Sequence, residues 1–490
     1  MRSLADFADA NLRIFDRPPP KPDTRDIYLI GICGTGMGAL AGLLNEAGYS
    51  VRGSDNNVYP PMSTFLEKHG IPVHNGFSET NLSPFPDLVI PGNSCTPTHV
   101  EATLAREASL PQLSFPEALN YFFLQNRRNI VVAGTHGKTT TAGMLVHLFR
   151  SAGRDPGFLV GGVLQELEQS FSIGTGPHFV IEGDEYDSAY FDKYPKFLHY
   201  APQIAIVTSI EFDHADIYSS MEEYQEAFDL FTDLIPANGL LVVSGDAPAT
   251  PRLHPQSAPV LTYGLSEQHD VVGRISQASE NGIQFNLIYR GRDLGEMILP
   301  MNGHHNLRNA LAVSAVALHE GLSPDEISHG LATFPGVKRR QEILGEPGGI
   351  LVIDDFAHHP TAVRATIQAT TERWPNRRLL AVFEPRSNSS RRKIFENSYG
   401  ASFTGAASAY ICSPPFRHND VREQFMDIQV VLRRMNSMGT TGYSFESPDS
   451  LLETLLDDAR AGDVILIMSN GSFSGLHQDL LTALSETAYQ

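Results

Sequence analysis

Cysteine is scarce in these 490 residues: Cys33, Cys95 and Cys412 are all there is. Their spacing matches neither a disulfide framework nor a metal finger, and three thiols suit a reducing cytoplasm. Basic charge is also short. Lys and Arg number 36 against 56 Asp and Glu, a formal net charge of −20. Nucleic acid and anionic membranes need a basic face, so neither is an expected partner. A phosphorylated ligand stays open, because backbone N–H groups and a few cations hold one locally. No run of about 18 apolar residues occurs, which argues against a membrane-spanning helix. The N-terminal MRSLADFADANLRIFDRPPPKPDTRD has no apolar core of the signal-peptide kind. A cytoplasmic protein without an obligate protein partner is the expectation. At 41% hydrophobic residues the chain can bury ordinary cores.

What is present is a sequence that alternates between two textures, and its length predicts three domains. Residues 1–25 form an N-terminal extension, whose RPPPKP at 17–22 reads as a stiff lead-in. Residues 26–126 open with the apolar DIYLIGIC, then a Gly-rich turn and an amphipathic helix, and predict a Rossmann-like domain. Residues 127–337 start with NIVVAG and continue through HFVIEGDE, IAIVTSIE and GLLVVSGD, a central P-loop ATPase-like domain. Between 259 and 300 the ENG and RGR turn signals suggest a small antiparallel addition, followed by helices from about His305 to Glu320 and from Pro324 to Phe334. GVKRRQEILGEPGG, 336–349, reads as a hinge, and 338–490 as a C-terminal Rossmann-like α/β domain. The fold class is therefore α/β in three domains.

The segment GTHGKTTT, Gly134 to Thr141, joins a predicted buried strand to a predicted helix. Such a loop aims backbone N–H groups and the positive helix end at a phosphate. Gly134 and Gly137 permit close approach, Lys138 offers a point charge, and Thr139 offers a hydroxyl to Mg²⁺. The first Gly of the usual G-x-x-x-x-G-K-[ST] pattern is replaced by Val132. Two acidic clusters, Glu182–Asp184–Glu185–Asp187 and Glu211–Asp213–His214–Asp216, follow apolar strands. Ligands collect at the carboxyl ends of strands in open α/β sheets, so a metal site competes here with plain solvated loop charge. The earlier Gly34-Thr35-Gly36-Met37-Gly38 loop, with Ala41 and with Asp55 19 residues beyond Gly36, fits a diphosphate-binding turn. Taken alone it also fits a nicotinamide-dependent oxidoreductase. Asn306 and Asn309, three apart at a helix start, either cap it or read a base. Arg339, Arg340, Asp355, His358 and His359 gather around the hinge, where the His pair suggests polar lining more than metal.

Together GTHGKTTT, the Glu182 cluster, the DH pair, NGHHNLRN, the basic hinge and DDFAHHP resemble the Mur ligase family, ATP-dependent peptide ligases of bacterial cell-wall precursor synthesis. The resemblance runs from about residue 26 to the end and accounts for Val132, since family loops read GTxGKT. It implies ATP and Mg²⁺ as cofactors. Gly134, Thr135, His136, Gly137, Lys138, Thr139 and Thr140 would hold the ATP phosphates, with Lys138, Glu182 and His214 catalytic. Thr139, Glu182 and His214 would serve metal. Asn306 and Asn309 would contact adenine, and Arg340 and Asp355 the nucleotide. Gly34–Gly38 with Ser54 and Asp55 would hold a UDP-sugar. Several members carry a carbamylated lysine where Phe228 stands. The stretches GICGTGMGALAGLL, FEPRSNSS and MSNGSFSGLHQDLL resemble the branch that joins UDP-N-acetylmuramate to the murein tripeptide L-alanyl-γ-D-glutamyl-meso-diaminopimelate, in peptidoglycan recycling. Arg386, Asn388 and Arg391 are the peptide-binding candidates. The L-alanine-adding branch is the same-class alternative.

Overall fold

A computed structural model describes residues 17–60, 62–213, 217–387, 389–414, 416 and 422–487. His214 and Asn388 lie outside the described residues, as does most of the expected N-terminal extension. The chain divides into two compact units. The first comprises Met1–Phe212, Ile217–Val272 and Ala312–Gly330, and the second Asp213–Asp216, Gly273–Leu311 and Leu331–Gln490.

The first unit begins with a four-stranded parallel sheet in the order β3-β2-β1-β4. Its strands are β1 (Asp26–Ile30), β2 (Ser50–Asp55), β3 (Val73–Asn75) and β4 (Leu88–Pro91), with helices α1 (Thr35–Glu46), α2 (Met62–Lys68), α3 (Val100–Glu107) and α4 (Phe115–Leu119). The DIYLI run is buried from its second residue, as a strand covered on both faces requires. Ser114 and Glu117 close a capping box that starts α4.

The same unit continues into a second sheet. β5 (Arg128–Ala133) lies at its centre, between β8 (His178–Gly183) and β9 (Ile204–Val207), all parallel. β6 (Gly157–Leu164) and its antiparallel partner β7 (Gln169–Ser172) extend one side; β10 (Leu240–Ser244) and β11 (Val260–Gly264) extend the other. Helices α5 (Lys138–Ser151) and α6 (Met221–Asp233) pack on it. Ala133 is in register with Gly183 and Val207, so the loops after β5, β8 and β9 leave the sheet at one edge. Phe228 on α6 is fully buried against Phe197 and Tyr224, an apolar core position.

The antiparallel texture expected over 259–300 is narrower than that. β11 pairs parallel with β10, and the first residues of β12 (Val271–Ser279) pair parallel with β11. Antiparallel pairing is seen between β13 (Gly282–Tyr289) and β14 (Arg292–Leu299). The turn signals mark hairpins, but they carry no information on the strand preceding them. Helices α7 (His304–His319) and α8 (Pro324–Ala332) follow.

The rest of the second unit is a six-stranded sheet, β15-β16-β20-β17-β18-β19. Its strands are β15 (Glu342–Gly345), β16 (Leu351–Asp355), β17 (Leu379–Glu384), β18 (Ser408–Cys412), β19 (Thr441–Phe445) and β20 (Val464–Ser469). All neighbours are parallel except β15, which runs antiparallel to β16. The segment read as a hinge therefore contains an edge strand, with Ile343 opposite Ile353. Helices α9 (Pro360–Arg373), α10 (Glu396–Ser402), α11 (Ile428–Ser437), α12 (Pro448–Asp458) and α13 (Leu476–Thr487) flank the sheet.

Candidate active site

At the central edge of the second sheet, Gly134 takes φ 124° and Gly137, the N-cap of α5, takes φ 81°. Both are values an L side chain resists. A Cβ on Gly134 would also overlap Thr208 and the Ser209 backbone. The loop is braced from below. Thr135 N–H donates to the Ser209 carbonyl at 2.9 Å, His136 N–H to Ser209 Oγ at 3.1 Å, and Thr208 Oγ1 to the His136 carbonyl at 2.5 Å. Thr135 Oγ1 donates to the Glu211 carbonyl at 3.0 Å. Thr140 is buried in the first turn of α5.

Lys138 curls over this loop. Its Nζ donates to the Gly134 carbonyl at 2.8 Å and to Glu185 Oε2 at 3.1 Å. Burial works against its charge, but Glu185, Asp184 and Glu182 outweigh that and hold its pKa above the ordinary lysine value. Glu185 is itself buried and accepts from Tyr224 Oη at 3.1 Å. Thr139 Oγ1 donates to Glu182 Oε2 at 3.0 Å, and Gly161 N–H to Glu182 Oε1 at 2.5 Å. A hydroxyl and a carboxylate this close, beside a phosphate-type loop, are the hard oxygen donors that suit Mg²⁺. From the second acidic cluster, Glu211 Oε2 stands 3.4 Å from His136 Nε2.

The two acidic clusters do not act as blocks. Glu182, Glu185 and Glu211 meet the phosphate loop, whereas Asp184 pairs with Lys196 at 3.1 Å and Asp187 with Lys193 at 2.7 Å.

In the first sheet, Gly34 precedes α1 as its N-cap and Thr35, Gly36, Met37 and Gly38 form its opening turn. Asp55 sits at the end of β2 and is nearly buried. It accepts Cys33 N–H at 3.0 Å and Asn57 N–H at 2.9 Å, so its carboxylate braces the Gly-rich loop. Ser54 is wholly buried and donates to Glu101 Oε2 at 2.6 Å. Glu101 is fully buried and also receives Tyr28 Oη at 3.1 Å, Asn81 Nδ2 at 2.8 Å and Ser78 N–H at 3.2 Å. It ties β1, β2 and the segment after β3 together. Sequence reading missed it, though an acid on the Ala102–Ala105 face of α3 was a detectable signal.

The second unit holds the remaining candidates. Asn306 is buried on α7 and donates to the Asn302 carbonyl at 2.8 Å; Asn309 is buried one turn on. Asp355, at the end of β16, accepts Ala357 N–H at 2.7 Å and Gln341 N–H at 2.8 Å. Burial pushes its carboxyl up, against the pull of Arg340 and those two N–H groups. Arg340 lies over the Phe356 ring at 4.7 Å. Arg339, at φ 62°, reaches Asp354 at 3.1 Å and the Ser469 and Gly471 carbonyls at 2.7 Å each. His359 caps α9 and His358 bonds locally to the Phe356 carbonyl. Arg386 is exposed after β17 and lies against Gly471. Arg391 is buried instead, with Nε on the Ser387 carbonyl at 3.3 Å.

Comparison with known proteins gives the family. The model described as "Mur ligase family, catalytic domain" matches residues 26–127, "Mur ligase middle domain" residues 132–317, and "Mur ligase, glutamate ligase domain" residues 339–471. The chain is similar to the UDP-N-acetylmuramate–L-alanyl-γ-D-glutamyl-meso-2,6-diaminoheptandioate ligase of Escherichia coli K12, 37% identical over 94% of this chain and 99% of the relative. It is also similar to the UDP-N-acetylmuramate–L-alanine ligase of Chlorobium phaeobacteroides BS1, 31% identical over 94% of this chain and 97% of that one. A solved murein peptide ligase from Psychrobacter arcticus 273-4 superposes with a TM-score of 0.72 at 35% identity, covering 94% of this chain and 99% of the other.

Proposed function

The chain belongs to the Mur ligase family of ATP-dependent amide-forming enzymes, and on that premise we propose that it joins the tripeptide L-alanyl-γ-D-glutamyl-meso-diaminopimelate to UDP-N-acetylmuramate in peptidoglycan recycling. The observation that carries this is similarity along nearly the whole chain to a ligase named for that reaction. An L-alanine ligase that matches equally far does so at 31% identity, and one that reaches 37% covers 76% of this chain. A nicotinamide oxidoreductase leaves the Lys138 loop without a role, and Asp55 is occupied in bracing its own loop.

The chemistry follows from charge. The γ-phosphoryl group of ATP must reach the lactyl carboxylate of the sugar nucleotide, which sets two anions against each other. Lys138 and the N–H groups of the 134–140 loop offset that charge, and Glu185 keeps Lys138 protonated and aimed at the loop. Thr139 and Glu182 are the residues that would hold Mg²⁺, whose chemistry is to neutralise phosphate charge. The resulting acyl phosphate is attacked by the tripeptide's amine, releasing phosphate and leaving an amide. The sugar nucleotide is assigned to the first sheet, residues 26–126, ATP to 127–337, and the incoming peptide to 338–490. There Arg386 offers a charge-assisted contact for peptide carboxylates.

The test is phosphate release with Mg²⁺-ATP and UDP-N-acetylmuramate, comparing tripeptide and L-alanine at equal concentration. Faster release with the tripeptide is expected. Faster release with L-alanine transfers the chain to the other branch.

A further inference from the structure

The loop that leaves β8 does more than carry the acids. After Glu185 it crosses to the first sheet and docks there. Ala189, Tyr190 and Phe191 are buried in one cluster with Tyr28 and Ile30 of β1. Asp192, 3% exposed, accepts Ser114 Oγ at 2.5 Å, at the capping box of α4. Tyr190 Oη donates to Gln112 Oε1 at 3.1 Å. The loop then turns back: Lys196 N–H reaches the Tyr186 carbonyl at 3.1 Å and Phe197 N–H the Asp184 carbonyl at 3.2 Å. One segment thus touches both the phosphate-loop acids and the sheet assigned to the sugar nucleotide.

Lys196 sits at the turn of that segment. Its side chain is 14% exposed, and its Nζ donates to Asp184 Oδ2 at 3.1 Å. The ammonium lies 4.3 Å from the Tyr186 ring centre and 5.2 Å from that of Phe115. The Phe115 ring is in turn the neighbour of Gly36, 3.6 Å from where a Cβ would stand. On the other side, Asp184 adjoins Glu185, which holds Lys138. Between the Gly-rich loop and the phosphate loop, therefore, stands a cation fixed by two rings and one carboxylate.

We propose that Lys196 binds the lactyl carboxylate of the sugar nucleotide and holds it toward the phosphate loop, with Asp184 keeping the ammonium in place until substrate arrives. Three features support this. The reacting group is an anion that must pass from a diphosphate seated at Gly34–Gly38 to the loop at Lys138. Lys196 is a partly exposed cation between these points, within one compact unit. Its ammonium is already positioned by the Phe115 and Tyr186 rings and by Asp184, so less freedom is left to lose when it engages an anion. Sequence reading gave it no role, because nothing in DKYPKF indicates that the loop returns to its own start.

The inference rests on the ligase reading, and the experiment separates the two. Wild-type enzyme is assayed first for phosphate release with Mg²⁺-ATP, UDP-N-acetylmuramate and tripeptide; absence of release sinks the ligase reading itself. Lys196→Met, Lys196→Gln and Lys196→Arg are then compared. Inhibition by UDP-N-acetylglucosamine, which lacks the lactyl carboxylate, serves as the second probe. We expect KM for UDP-N-acetylmuramate to rise about tenfold or more in the Met and Gln variants. KM for ATP and the inhibition constant of UDP-N-acetylglucosamine should stay put, and Arg should restore most of the loss. An unchanged KM for UDP-N-acetylmuramate overturns the proposal. So does a parallel weakening of both sugar nucleotides, which would put Lys196 on the diphosphate. A drop in melting temperature with KM for ATP and sugar nucleotide moving together would reduce it to a loop brace.

Discussion

Lys138 shows how a single side chain is set by its neighbours. A lysine with an almost fully covered ammonium would ordinarily lose its proton more readily. Here Glu185 stands 3.1 Å away and the Gly134 carbonyl 2.8 Å away, and the acids keep the group charged. Lys138→Ala removes that charge without opening an apolar core, so the fold should persist while phosphate release falls by about 10²–10³-fold. Circular dichroism and a phosphate-release assay check both halves. A folded variant with near-normal turnover would remove Lys138 from the reaction. The GTHGKTTT spacing made this residue legible, because a loop from strand to helix brings its Lys back over the loop whatever surrounds it. Glu185 as its partner was not separable from Asp184 and Asp187 in the sequence. Which acid of a cluster turns inward depends on the path of the loop that follows.

Among elements, the opposite edge of the second sheet offers a contrast. Arg128 at the start of β5 and His178 at the start of β8 meet Glu320, one residue beyond α7. Arg128 Nη2 lies 2.6 Å and His178 Nε2 2.7 Å from the Glu320 carboxylate. Burial would raise the Glu320 pKa, but the bonds from His178 and Arg128 prevail and bring it to about 2. Its folded value is therefore depressed. The stability it supplies is in full force above the unfolded value of about 4.3 and is lost as pH falls toward about 2. Glu320→Gln should cost about 3 kcal/mol at neutral pH, since it leaves Arg128 without its counter-charge. The gap between variant and wild-type melting curves should shrink steadily below pH 4.3. A gap independent of pH would mean the carboxylate contributes nothing as an anion. The helix ending here was readable from its apolar spacing, predicted to Glu320 and found to His319. The partners of Glu320 were not, because they lie more than 140 positions away in sequence: His178 by 142 and Arg128 by 192.

For the whole molecule, the nucleotide loop predicts coupling between ligand and stability. A non-hydrolysable ATP analogue with Mg²⁺, at a hundredfold excess over Kd, stabilises its binder by about 2.7 kcal/mol. The wild-type melting temperature should rise by a few degrees and that of Lys138→Ala should not; an equal rise in both would place the nucleotide elsewhere. The sequence by itself determined the α/β class, the Gly-rich and phosphate loops at strand–helix junctions, and the family. These depend on short-range patterning and on steric needs at single glycines such as Gly134 and Gly137. It did not determine that β11 and the start of β12 run parallel, that an edge strand occupies the 336–349 segment, or that Ser54 turns inward to Glu101. Nor did it show that the loop after β8 crosses to the first sheet and returns with Lys196 beside Asp184. Strand direction, edge pairing and the pairing of buried charges are settled by contacts between residues far apart in the chain, and those exist only once the sheets have packed.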